Sequence, residues 1–121
     1  NIAYLQGDIC SMEQFTNEEF DLVICSEVLE HLQLPKRACE ELQRVSKKYI
    51  VITVPNEPWF CIGNLLSLHN VSRLGNPVDH INHWSFRRFK HFIKEVFPDS
   101  KIVFSTSFPW SMAFIDIVDN S

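Results

Sequence analysis

The chain has 121 residues, of which 45% are hydrophobic and 12% aromatic, enough apolar material for one domain with a core and too much for a disordered segment. A formal charge of −4 and a pI near 5.7 supply no global attraction to nucleic acid or to an anionic membrane, although the run "RRFKHFIK" is locally basic. No apolar run approaches the roughly 18 residues needed to span a bilayer, and "NIAYLQGD" does not read as a signal peptide, so a soluble, cytoplasmic protein is expected.

In chain order, Ile2 to Leu5 is a short β-prone run ending at "QGD", and a polar connection, "SMEQFTNEE", follows it. "FDLVIC", Phe20 to Cys25, is the continuous apolar run of a strand buried in a parallel sheet. Ser26 then reads as the N-cap of a helix, with Glu27 and Glu30 near its positive end. Pro35 opens a second helical segment whose Ala38, Leu42 and Val45 recur at helical spacing, and "YIVITVP" is the next buried strand. The segment from Pro55 to Trp84 is a long connection of the kind that covers a functional site, with a short helix near "NLLSL". Ser85 caps "FRRFKHFIKEVF", with an apolar stripe of Phe86, Phe89, Phe92, Ile93 and Val96. "KIVFSTSF" and "MAFIDIV" close the chain as an antiparallel strand pair at one edge, the latter strand apolar enough to be central. The alternation of strands and helices predicts an α/β fold: a three-layered, Rossmann-like doubly wound sheet in a single domain over 1–121. Cysteines at 10, 25, 39 and 61 form no CxxC pair and read as free thiols in a reducing compartment.

"YLQGDI", "FDLVICSEVLEHL" and "RVSKKYIVITVPN" together resemble the third, fourth and fifth strands, with their connections, of class I S-adenosylmethionine-dependent methyltransferases, and the closing segments resemble that family's last helix and final antiparallel strands. With glycines only at 7, 63 and 75, the chain has no segment like the Gly-rich loop that follows the family's first strand. The N-terminal strands of the domain are therefore expected to be missing, and the chain is expected to be part of a longer protein.

The resemblance implies that Asp8 accepts from the adenine amino group, that Ile9 meets the ring edge through its backbone, and that Cys25, Ser26 and Glu27 face the cofactor. Asp8 reads equally as a turn residue that bonds its own backbone, and Ser26 as a simple cap. In a helix starting at Ser26, positions 27, 30 and 31 share one face. Glu27, Glu30 and His31, joined by the distant His80 or its neighbour His83, are then a candidate set for a divalent metal, as in the related small-RNA 2′-O-methyltransferases. The commoner alternative is a polar-edged helix start, and His31 acting as a metal-free general base is another. Trp59, Phe60, His69, Arg73 and Trp84 are candidate contacts to a small-molecule acceptor, or anchors of a structural loop.

Two functions follow. One is methyl transfer from S-adenosylmethionine to an unidentified acceptor. The other is a truncated, non-catalytic methyltransferase-like module that acts through protein contacts. An incomplete sheet leaves an open edge and exposed apolar surface, so self-association or a completing chain is expected.

Overall fold

The structure, a computed structural model, describes residues 1–56 and 82–118. Its order is β1 (Phe20–Ser26), a single 3-10 turn (Leu29–His31), α1 (Pro35–Val45), β2 (Ser46–Pro55), α2 (Phe86–Val96), β3 (Lys101–Ser107) and β4 (Trp110–Asp116). The strands form one sheet in the order β1-β2-β4-β3. β1 and β2 are parallel and joined through α1, whereas β4 runs antiparallel to β2 and β3 and lies between them. The expected edge pair and the central position of the last strand are both present. The fold is a truncated Rossmann-like α/β sheet.

Pleating sends alternate side chains of each strand to opposite faces. Val23 and Cys25 of β1, Ile50, Ile52 and Val54 of β2, and Ala113 and Ile115 of β4 share one face, and α1 and α2 pack side by side on it. The helical spacing read from sequence accounts for what each helix buries: Ala38, Leu42 and Val45 with Cys39 from α1, and Phe89 and Ile93 from α2. Ser85 caps α2 by accepting from the Arg88 backbone N–H at 3.2 Å, as its position predicts. Pro35 opens α1 at its first turn, where a missing N–H costs nothing.

Among the described residues no helix covers the opposite face. Leu22, Ile24, Tyr49, Val103, Met112 and Phe114 are exposed there, Ile24 at 64%. The outer edge of β1 has no strand partner among the described residues either. Ile2 to Leu5 forms no strand, and Ile2, Tyr4 and Leu5 are exposed. The reason is physical: an isolated β-prone run with no neighbour to bond has nothing to offset the entropy of extension.

The segment between Asp8 and Glu19 is held from α1. Glu41 accepts from the Met12 backbone N–H at 2.7 Å, and Arg44 donates to the carbonyls of Met12 and Phe15 and to the side-chain oxygen of Asn17. Arg44 Nε also lies 2.9 Å from Glu41 Oε1. The guanidinium holds the Glu41 carboxyl far below the usual range, at about 2. One ion pair thus ties an irregular segment to a helix.

Candidate functional site

In open α/β sheets, ligands bind beyond the carboxyl ends of the parallel strands. Here those ends are Ser26 and Thr53–Pro55, paired in register at Ser26 and Thr53. Ser26 is the last residue of β1 and does not cap a helix; its hydroxyl lies 2.9 Å from Thr53 Oγ1 on the uncovered face. The predicted helix start is replaced by a sharp turn, because Glu27 has a φ of +56° and leaves the right-handed region. Such a conformation costs a non-glycine residue roughly 1–2 kcal/mol, so the surroundings must hold it. They do: the Glu27 N–H donates to the Thr53 carbonyl at 3.1 Å, and its carboxylate accepts from Thr53 Oγ1 at 3.2 Å.

These residues border an open cavity of about 360 Å³, lined by Ser26, Glu27, Thr53, Ser105, Ser107, Trp110 and Met112. Burial pushes the Glu27 carboxyl above the usual carboxylate range, while Thr53, Trp110 and the charge of nearby His31 pull it back. A half-buried carboxylate held by the Thr53 hydroxyl is a proton acceptor fixed in space.

The remaining predicted residues are placed differently. Cys25 turns its thiol into the core, where burial, with a contribution from Glu30, pushes it up to about 12, leaving only its backbone at the strand end. Glu30 is 1% exposed and lies 3.5 Å from His31 Nε2, whereas Glu27 faces the cavity. A single 3-10 turn replaces the predicted helix, and no group of three metal-ligating side chains exists among the described residues. His80, like Trp59, Phe60, His69 and Arg73, lies outside the described residues.

Asn82 is an unpredicted organiser of this turn. Its backbone N–H donates to the Glu30 carbonyl at 2.9 Å, and its side-chain amide donates to the carbonyls of Leu29 and Leu32. The residue preceding His83 is thereby fastened to "LEHL". Asn56 does similar work at the end of β2, donating to the Pro109 carbonyl and accepting from the Phe86 N–H. Trp84 packs on Phe92 of α2, which supports the anchor reading of that residue. Asp8 is exposed and accepts from the Cys10 N–H at 2.8 Å through one oxygen, the turn role, which leaves its other oxygen for an outside donor.

Strand order, turn and carboxyl-end cavity together define a piece of a Rossmann-like α/β domain. Residues 1–52 match the family model described as a methyltransferase domain. The fold is shared with a SAM-dependent methyltransferase from Thermotoga maritima, at 12% identity and a TM-score of 0.67 over 93% of this chain and 62% of that one. It is shared with a SAM-dependent methyltransferase from Aquifex aeolicus, at 13% identity and a TM-score of 0.64 over 97% of this chain and 55% of that one. Magnesium protoporphyrin IX methyltransferase from Synechocystis, seen with bound S-adenosylhomocysteine, matches at 11% identity and a TM-score of 0.62 over 93% of this chain and 49% of that one. The chain thus spans from about half to under two thirds of the length of these solved chains. No curated protein matches it.

Proposed function

We propose that the complete protein is an S-adenosylmethionine-dependent methyltransferase and that the described residues form the acceptor side of its site. The observation that carries this reading is the coincidence of the methyltransferase-domain match over residues 1–52 with a built cavity at the carboxyl ends of β1 and β2. The cofactor would be held on this side by Asp8, by the backbone of Ile9 and Cys25, and by Ser26 and Glu27. Ser26 supports that role as an exposed polar residue at the end of β1, and Asp8 as an exposed carboxylate in a turn. S-adenosylmethionine supplies an electrophilic methyl group; this chain's residues orient the acceptor and take its proton.

The acceptor is read as a small molecule, since a 360 Å³ cavity admits one and the net charge of −4 gives nucleic acid no advantage. Buried thiols at Cys25 and Cys39 support a cytoplasmic, reducing setting, and no described helix is long and apolar enough to cross a membrane. The test is a screen of acceptor classes with methyl-labelled cofactor on the complete protein. Label transfer to one class is expected; no transfer to any class, with no cofactor binding, would remove the reading.

A second reading has its own observation. The open β1 edge and the exposed apolar face favour a module that is completed by another chain or a second copy, without catalysis of its own. Cofactor binding by the complete protein separates the two.

A further inference from the structure

All five guanidinium N–H groups of Arg44 have acceptors. Nε donates to Glu41 Oε1 at 2.9 Å, and one Nη2 hydrogen to Glu41 Oε2 at 3.0 Å. The other three leave α1 for the segment before β1: they reach the Met12 carbonyl at 2.8 Å, the Phe15 carbonyl at 2.9 Å and Asn17 Oδ1 at 3.1 Å. Glu41 accepts in turn from the Met12 N–H at 2.7 Å, so one ion pair takes both backbone polar groups of Met12. The Arg44 carbonyl also accepts from the Glu18 N–H at 2.8 Å. From Asp8 to Glu19 the backbone forms no strand, only an isolated bridge between Asp8 and Ser11. The ion pair does for this segment what a neighbouring strand does in a sheet.

What it holds lies next to Met12. Asp8 to Ser11 is a tight turn, closed by the Ser11 N–H on the Asp8 carbonyl at 3.0 Å and by the Cys10 N–H on Asp8 Oδ1 at 2.8 Å. Ser11 passes directly into Met12. Ile9, Cys10 and Met12 rest on the core, but apolar contact has no direction, so it sets the depth of the turn and not where its carboxylate points. The directed bonds at Met12 set that.

We propose that Glu41 and Arg44 are positioning residues: through Met12 they orient the Asp8–Ser11 turn, and so decide which nucleobase edge the site accepts. This deepens the cofactor reading above and rests on it, since there Asp8 meets the base. An ionised Asp8 offers a ligand lone pairs and no proton, and Oδ2 is the oxygen that the turn leaves unused. A base with an exocyclic amino group supplies the donor it needs. A base with a carbonyl at that position sets oxygen against carboxylate and is rejected, more strongly the more firmly Asp8 is held. Neither Glu41 nor Arg44 lines the strand-end cavity, so their influence runs through the turn alone.

The test compares S-adenosylhomocysteine with S-inosylhomocysteine, whose base carries a carbonyl in place of the amino group, by calorimetry on the complete protein. Wild type is expected to prefer the adenine ligand by at least about tenfold, a difference of about 1.4 kcal/mol. Arg44→Lys keeps the charge but has three donors on a flexible stem, too few for five acceptors. It should shrink the preference to about threefold or less, by weakening the adenine ligand. A loss of stability alone would weaken both ligands together and leave their ratio where it was. Asp8→Ala should give the same low ratio, and adding Arg44→Lys to it should change the ratio no further; effects that multiply would mean that Arg44 acts elsewhere. Glu41→Gln, which keeps an acceptor for Met12 and loses the charge, should move the ratio the same way by less, and it serves if Arg44→Lys does not fold. A second measurement needs no ligand. In ¹H–¹⁵N spectra of the complete protein the same variants should shift the Cys10 and Ser11 amide signals along with that of Met12. An unchanged ratio, or unchanged Cys10 and Ser11 signals, overturns the proposal. Binding of neither ligand by wild type removes the cofactor reading and the choice of base with it, and the spectra then decide whether the ion pair orients the turn.

Discussion

The two faces of the sheet are built from similar residues and have opposite fates. On the helix side, Ile50, Ile52, Ala113 and Ile115 are sealed beneath α1 and α2. On the other, Leu22, Ile24, Val103 and Phe114 face outward, and the Tyr49 and Phe114 rings lie 5.4 Å apart with no helix over them among the described residues. Hydrophobicity along a strand therefore marks what a sheet can bury and does not say what covers it. The cavity with Glu27 opens on the uncovered side, so the face that contributes least to this chain's stability carries its candidate chemistry.

That contrast can be broken by substitution. Phe89→Ala empties a fully buried site between α2 and the sheet and should cost about 3–5 kcal/mol in chemical denaturation, enough to unfold a small domain. Glu41→Gln should cost about 2 kcal/mol, the worth of charge-assisted bonds to Arg44 and Met12. Because folding lowers the Glu41 carboxyl from 4.5 to about 2, its contribution is complete above pH 4.5 and is lost as pH falls toward 2. Wild-type stability should decline across that window, and the variant's curve should be flatter. Glu27→Gly relieves the positive φ and loses the Thr53 bond to the carboxylate, so stability in chemical denaturation should change by no more than about 1 kcal/mol. Ile24→Thr, on the bare face, should change monomer stability by less than about 0.5 kcal/mol yet reduce self-association in sedimentation. A loss at Ile24 as large as that at Phe89 would mean that the bare face is covered.

Helical spacing and apolar runs made the helices, β1, β2 and the final antiparallel pair legible as elements, but not their depth: of β1 only Cys25 is buried. Ser85 was readable as a cap for the same local reason. The turn after β1 was not: "SEVLEH" has the composition of a helix start, and only the tertiary bonds of Glu27 to Thr53 hold a positive φ there. Trp110 lines the same cavity as Glu27 because β4 inserts beside β2, a pairing that no local pattern encodes. Thr53 carried a signal, as a polar residue within an apolar strand that pairs in register with Ser26. Asn82 carried none, being one asparagine among several in a polar segment.

The account treats this chain as one wall of a cofactor crevice. Calorimetric titration of S-adenosylmethionine into the 121-residue chain and into the complete protein tests that directly. Micromolar binding by the complete protein, with weak or undetectable heat for the chain alone, is the predicted result; micromolar binding by the chain as a monomer would contradict it.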